Sequence, residues 1–501
     1  MLDPTRLTLH TQFQVGPVDP RLFGGFLEHM GRAVYEGVYE PASAQADEYG
    51  FRRDVLAALK RLGMTTLRYP GGNFASGYHW MDGIGPQAGR PTTLNLAWHS
   101  LELNRFGTGE FMQLCRLLGS SPMLTVNLGT GMPEEARNWI EYCNVEAETQ
   151  YALRRSQNGR EEPYGVKLWC LGNEMDGPWQ LGHVPAAEYA LRAQQAAKMM
   201  KDVDRSIELI ACGSSGIGLP TYLEWDRTVL EVLGDEADYL SLHRYVGNPS
   251  GDTLDYLAVT NSIDRQIEEM DSVCRFVQAQ HRSKKRAYLS FDEWNVWYKN
   301  MQMDGSNQSA PHLIEEVYNL EDALVVAGFL HSFIRHADVL KIANLAQLVN
   351  VIAPLQTRRD ELLIQSTFYP FEMVSNRRGD PLGLPGISLR PAVQGPVYEG
   401  RTNGLVPYID SSAILADDRL HVFVTNRHPS EFAPLEILLA DRPITALESA
   451  ELLTGPDAKA ANSFEQPDLI VSHSFEAARV RQGSVALELP PLSFLATTWR
   501  L

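Results

Sequence analysis

Two stretches of this 501-residue chain end an apolar run in a carboxylate. In Trp169-Cys170-Leu171-Gly172-Asn173-Glu174-Met175-Asp176-Gly177, the run from Val166 to Leu171 is too short for a helix and breaks at Gly172. In the second, Tyr288-Leu289-Ser290-Phe291 leads into Asp292-Glu293-Trp294-Asn295-Val296-Trp297-Tyr298. Each reads as a buried strand delivering an acid to a cavity. Two carboxylates on neighbouring strand ends are the equipment of glycoside hydrolysis, one acting as acid and the other as nucleophile or base. Either glutamate alone fits a capping or salt-bridged acid equally well; the matching contexts favour the catalytic reading. Asp176 and Asp292 are off-phase from the glutamates and read as support, through caps or hydrogen bonds.

Around these acids, Trp80, Trp98, Trp179, Trp294, Trp297, Tyr245 and Tyr298 offer flat apolar faces of the sort that pack on sugar rings, although each alone reads as core. His243 fits a core histidine or a site donor, and Glu28-His29 fits a strand terminus or, with Arg68 and Asn73 nearby, a cleft pair. Other chemistries lack their signatures. There is no His-x-His after the first strand and no His-Glu-x-x-His, so no metal is expected. Cys212-Gly213-Ser214-Ser215-Gly216 misses the serine nucleophile elbow, and Gly24-Gly25 opens no dinucleotide-binding helix, so no cofactor is expected either.

The elements that must position the acids alternate. Eight short apolar runs read as strands: 23–27, 65–67, 123–126, 166–171, 209–212, 239–242, 288–291 and 339–343. Amphipathic spacing places helices over 47–62, 108–118, 185–203, 221–233, 254–281 and 316–336. Eight strand-helix units, with polar residues at most strand ends (Glu28-His29, Arg68, Asn127, Asn173-Glu174, His243, Asp292-Glu293, Asn344 with Gln347), predict a closed (β/α)8 TIM barrel of the α/β class. There the strand ends share one face. The segment 377–400, rich in Gly and Pro, reads as a linker or long connection. After it, alternating runs at 420–425, 435–439, 485–489 and 494–499 predict a β-sandwich. Residues 7–10 are expected to pair into the same sheet as the last run and so tie the chain ends together. The expected division is a catalytic barrel over 17–376 and a jelly-roll-like sandwich formed by 1–16 plus 377–501.

Composition narrows the partners. A net charge of −18 disfavours nucleic acid, whose phosphates need clustered Lys and Arg, and leaves a neutral or cationic small molecule as the better ligand. No stretch approaches a membrane span and no signal segment is visible over 1–16. Five cysteines without a framework spacing suggest reduced thiols and a cytoplasmic location, with Cys170 and Cys212 as core filler.

The two acid stretches, extended to Trp179 on the first, resemble the catalytic signatures of the α-L-arabinofuranosidases of glycoside hydrolase family 51. The likeness extends to Gly25-Phe26-Leu27-Glu28-His29, Arg68-Tyr69-Pro70-Gly71-Gly72-Asn73-Phe74 and Ala343-Asn344-Leu345-Ala346-Gln347-Leu348-Val349-Asn350, and covers nearly the whole chain. The resemblance implies a barrel with a C-terminal β-sandwich. It implies retention of configuration, with Glu174 as acid/base and Glu293 as nucleophile. Glu28, Asn73, Asn173, Tyr245 and Gln347 are then expected to bind the arabinofuranose, with Trp98, Trp179 and Trp297 as further substrate-binding aromatics. Terminal arabinofuranosyl residues of arabinan- or arabinoxylan-derived oligosaccharides are the implied substrate, and a homo-oligomer, commonly a hexamer, the implied assembly. One departure stands out: a His-Gln-Tyr-Tyr-like run is expected after the sixth strand, whereas this chain has His243-Arg244-Tyr245-Val246. Two other readings stay open, a hydrolase of β-xylosides or β-glucans and a non-catalytic carbohydrate-binding protein.

Overall fold

The computed structural model describes residues 2–379, 383–481 and 483–501. Eight strands pair in parallel and close on themselves in chain order. They are β1 (Gly24–Phe26), β2 (Thr66–Tyr69), β3 (Ser121–Thr125), β4 (Leu168–Leu171), β5 (Glu208–Ala211), β6 (Tyr239–Val246), β7 (Tyr288–Val296) and β8 (Leu340–Ala346). Each overlaps one of the eight apolar runs. A strand buried on both faces loses its polar alternation, which is why the runs are nearly continuous. In β4 all four residues are buried. Met123, Leu168, Cys170, Ile210, Tyr239 and Ile342 pack together in an apolar cluster contributed by β3, β4, β5, β6 and β8. Above it the barrel interior turns charged, as described below.

The helices expected over 108–118 and 185–203 form within a residue of those bounds, and the span 254–281 divides into Thr253–Leu257 and Thr260–His281. Pro133–Asn144, Gln150–Gln157 and Phe368–Ser375 are helices that periodicity did not single out. The first carried a readable signal: proline at the first turn, Glu134 and Glu135 behind it, and buried Ala136, Trp139, Ile140 and Cys143 at helical spacing.

Leu320–Arg335 differs from an amphipathic helix in being buried from Leu320 through Ile334. One side lies on the barrel and the other on the sandwich. His331 contacts Ser412 Oγ at 2.9 Å and Thr425 Oγ1 at 3.0 Å, and Arg335 pairs with Asp410 at 2.8 Å. Phe423 and Phe494 of the sandwich join the barrel's hydrophobic cluster. A helix apolar all round is what a position between two layers requires.

The sandwich has a seven-stranded sheet and a five-stranded sheet over a core of its own. Two expectations are corrected here. Thr5–Leu9 pairs with Ala433–Leu439 and Ala392–Gln394 in the five-stranded sheet, whereas the closing strand Ser493–Arg500 lies in the seven-stranded one. The chain ends therefore meet across the core, through Leu7, Leu9, Leu495 and Trp499, and not edge to edge. The Gly/Pro-rich segment is also no free linker, since Ile387–Leu389, Ala392–Gln394 and Val397–Gly400 are strands, the first two within the sandwich sheets. Pro391 and Pro396 fall between these strands and Pro385 before the first, where no strand-ladder hydrogen bond is lost; Pro381 lies outside the described residues. The five cysteines are free and buried. Among the described residues no helix is long and apolar enough to cross a membrane.

Candidate active site

Beyond β4 the backbone turns at Gly172, whose φ of +89° is the left-handed region that favours glycine. Glu174 follows with φ +42°, a conformation that costs an L-residue about 1–2 kcal/mol. Contacts on both carboxylate oxygens hold it there: His243 Nδ1 lies 2.8 Å from Oε1, and Trp179 Nε1 donates to Oε2 at 2.6 Å. Asn173 is 1 % exposed; its Oδ1 accepts from Arg68 Nη2 at 2.6 Å and its amide faces Gln180 at 3.4 Å.

On β7, Asp292 and Glu293 are consecutive, and in a regular strand they would face opposite sides. The ladder shifts register on both flanks, between Ser241 and His243 against β6 and between Phe291 and Trp294 against β8. Such a bulge re-aims side chains. As a result both carboxylates reach Arg68 on β2: Nη1 donates to Glu293 Oε1 at 2.7 Å, and Nε lies 3.2 Å from Asp292 Oδ2. Tyr245 donates its hydroxyl to Glu293 Oε2 at 2.9 Å. His243 completes the layer, with Nε2 3.3 Å from Asp292 Oδ1.

The charges order themselves by proximity. Burial alone would lower the His243 pKa, but the surrounding Glu293, Asp292 and Glu174 carboxylates hold its imidazole well above the usual histidine range. Burial would raise Asp292, yet Arg68 and His243 keep it below the ordinary aspartate value. An oxygen of Glu174, one of Glu293 and a nitrogen of His243 all lie within 4.8 Å of one another. The donor set could in principle reach one cation. Both nitrogens of His243 are already engaged, Nδ1 with Glu174 Oε1 at 2.8 Å and Nε2 with Asp292 Oδ1 at 3.3 Å.

Across the cavity, Glu28 at the end of β1 accepts from the Phe74 backbone N–H at 2.9 Å and from Trp98 Nε1 at 3.0 Å, while its own N–H donates to Gln347 Oε1 at 2.9 Å. The loop after β2 can approach it because Gly72 lacks a side chain; a Cβ there would meet Glu28 Oε2 at 2.7 Å. Burial, reinforced by the Glu293 charge, pushes the Glu28 carboxyl up to about 8 against the opposing Phe74 and Trp98 hydrogen bonds and the Arg68 charge. The folded protein therefore keeps a proton that the unfolded chain, near the model-peptide value of about 4.3, releases. Unfolding sheds that proton between about pH 4.3 and 8, so this group's contribution to stability is full below that window and is lost as pH rises through it. Urea denaturation across pH is expected to show wild type losing stability relative to Glu28→Gln, at up to about 1.4 kcal/mol per pH unit. Parallel curves for the two proteins would exclude the shift.

A cavity of about 560 Å³ opens on this face. Of the sequence-predicted residues, Glu28, Asn73, Trp98, Glu174, Trp179, Tyr245, Glu293, Trp297 and Gln347 line it, and Asn173 lies just behind. His29 does not: it is buried between Glu102 (2.8 Å) and the Tyr69 hydroxyl (2.8 Å). Asn127 folds its own loop by accepting from the N–H groups of Gly129, Thr130 and Gly131, and Asn344 donates to the Gly25 carbonyl. Among the aromatics, Trp80 packs on Trp139, Trp294 on Phe329 and Phe333, and Tyr298 on Tyr256, all away from the cavity. Residues the sequence did not mark as lining are Met30, the 215–218 loop, Met303, Ile314 and Ile352. They carry no periodicity or polar signature; only the closure of the barrel gathers them.

Fold and site together define a barrel glycoside hydrolase. The family model for the α-L-arabinofuranosidase 1 domain matches residues 58–257 and that for the α-L-arabinofuranosidase C-terminal domain matches 292–493. An intracellular exo-α-(1→5)-L-arabinofuranosidase 1 from Bacillus subtilis is 42 % identical, over 98 % of this chain and 97 % of its own. An exo-α-(1→6)-L-arabinofuranosidase from Bifidobacterium longum is 40 % identical, over 99 % and 97 %. Among solved structures, the family 51 α-L-arabinofuranosidase AbfB from Bifidobacterium longum superposes with a TM-score of 0.94 at 36 % identity, covering 100 % of both chains. The arabinose complex of the Thermotoga maritima enzyme gives 0.88 at 33 %, covering 99 % and 100 %. The chain belongs to the α-L-arabinofuranosidases of glycoside hydrolase family 51.

Proposed function

We propose that the protein releases terminal α-L-arabinofuranosyl residues from arabinan- or arabinoxylan-derived oligosaccharides, with retention of configuration, using Glu293 as nucleophile and Glu174 as acid/base. The observation that carries this reading is the approach of Glu174 and Glu293, oxygen to oxygen within 4.8 Å. Retaining enzymes bring their carboxyls to about 5–5.5 Å, whereas inverting ones need about 6.5–9.5 Å to seat a water. Two anions so close repel, and the His243 imidazolium, 2.8 Å from Glu174 and 3.7 Å from Glu293, offsets that repulsion. Arg68 and Tyr245 donate to Glu293 and favour the charge there. His243 Nδ1 lies 2.8 Å from Glu174 Oε1, so the imidazolium can hand Glu174 the proton that the leaving oxygen receives.

Glu293 attacks the anomeric carbon as the bond to the leaving oxygen breaks, and Glu174 protonates that oxygen. The product is an arabinosyl ester of Glu293. Esterification removes the nucleophile's charge, so Glu174, now ionised, takes a proton from water as the water displaces Glu293 from the anomeric carbon. Asn73, Gln347 and Glu28, the last protonated at neutral pH and able to donate, wall the sugar; Asn173, held by Arg68, is the neighbour for the 2-hydroxyl. Trp98, Trp297 and Trp179 supply apolar faces. An exo mode fits a pocket walled on the β1, β2 and β8 side. Cytoplasmic residence follows the intracellular naming of the relatives, and homo-oligomeric assembly follows the family resemblance.

Proton NMR of an early reaction on aryl α-L-arabinofuranoside is expected to show α-arabinofuranose appearing first, before mutarotation. First appearance of the β anomer would overturn retention. A panel of aryl xylosides and glucosides separates the sugar assignment from the mechanism, and turnover of neither these nor the aryl arabinofuranoside would favour a binding protein.

A further inference from the structure

The relatives named for different linkages stand at nearly equal identity to this chain, so what the enzyme accepts beyond the cleaved sugar must lie in local residues. Arg244 departs from the expected glutamine and lines the cavity. It sits on β6 between His243 and Tyr245, beside the 215–218 loop that follows β5. His243 of the same strand contacts Glu174, and Asn73 follows β2, the strand across the ring from β6. Because Glu174 protonates the departing oxygen, the leaving group lies on the β6 side.

The guanidinium has five N–H donors in a planar fork, but its one side-chain hydrogen bond among the described residues is to Ser262 Oγ at 3.0 Å. No carboxylate among them pairs with it. Tyr222, whose charge would act on Arg244, spends its hydroxyl on Glu269 at 2.8 Å. Arg244 is half-buried, and its burial lowers its pKa, the mark of a cation short of an anion. The 215–218 loop that also lines the cavity is open at its glycines, where a Cβ built on Gly216 or Gly218 meets nothing within 4 Å. In a chain of net charge −18, an uncompensated arginine facing a substrate cavity is placed against the overall field.

We propose that Arg244 is a specificity residue of the leaving-group side, where the N–H donors not spent on Ser262 receive the carboxylate of a uronosyl residue next to the cleaved arabinose. The proposal rests on the reading of the reaction given above. Bidentate pairing with a planar carboxylate is what a guanidinium offers and a glutamine or a lysine does not.

The test uses α-L-arabinofuranosyl galacturonic acid and its methyl ester, which differ in charge but hardly in shape. Wild type is expected to favour the acid in kcat/KM by on the order of 10- to 100-fold, as for hydrogen bonds to charged groups, and the preference should shrink at high salt. In R244Q the preference is expected to vanish or invert under the chain's negative field, and R244K should keep part of it through charge alone. Each ratio is internal to one protein, so a poorly folded variant does not mimic the effect, and R244K guards against loss of R244Q. Equal rates on acid and ester in wild type, or an undiminished preference in R244Q, overturn the proposal while leaving arabinose release intact. Failure to release arabinose from either compound or from any aryl arabinofuranoside would instead overturn the underlying reaction.

Discussion

Replacing Glu293 with alanine is expected to cut turnover on every arabinofuranoside, activated or natural, by about 10,000- to 1,000,000-fold, the scale on which removing a covalent nucleophile acts. The size follows from what the residue does in the barrel. Arg68 and Tyr245 both spend donors on it, and the β7 bulge aims it at the site of Glu174. No other described carboxylate can take over: Asp292 is enclosed by Arg68 and His243 beneath the cavity, and Glu28 keeps its proton at neutral pH. The loss should be the same for good and poor leaving groups, because bond formation at the anomeric carbon is missing in both cases. Added azide supplies an external nucleophile from the vacated side, and the expected product is an arabinosyl azide of inverted configuration. A variant that retained more than a hundredth of wild-type turnover, with its fold verified by circular dichroism, would remove Glu293 from the role.

Glu174→Ala should behave differently on different substrates, and the difference is the diagnostic. On natural oligosaccharides, whose alkoxide leaves poorly, loss of the general acid is expected to cost about 100- to 10,000-fold. With a nitrophenolate leaving group no proton is needed in the first step, so the arabinosyl ester forms at near-normal rate and then accumulates for want of a base. Stopped-flow measurements should show a burst followed by slow turnover, with a lowered KM. Azide, which needs no deprotonation, should accelerate the slow phase and give arabinosyl azide of retained configuration. Equal loss on activated and natural substrates would instead mean that Glu174 only shapes the site. The variant also frees Trp179 Nε1 and His243 Nδ1, so arabinose binding should be checked beside it.

Much of this was legible beforehand because it is local. A parallel strand buried on both faces must be a short apolar run, and eight such runs, broken by helical spacing, specify a closed barrel before any contact is known. Barrel closure then brings strand ends together, so Glu174 and Glu293, 119 positions apart by their numbering, could be paired from their matching contexts alone. His29, Asn127 and Asn344 sit at strand ends with the right polarity, yet a polar strand end can equally serve its own loop or ladder, and type alone does not say which. The helix Leu320–Arg335 looked amphipathic from within the barrel, and only the sandwich explains why both its faces are apolar.

By itself, then, the sequence determined the architecture, the pair of acids and the family, since each depends on residue types in a repeating or contiguous pattern. Only the tertiary structure decided how the acids are served. The double register shift that turns Asp292 and Glu293 to the same arginine, the imidazole held between three carboxylates, and Arg244 at the rim with no carboxylate partner among the described residues each arise between elements distant in sequence. Charge and hydrogen-bond partnership are properties of distance in space, and no periodicity along the chain encodes them.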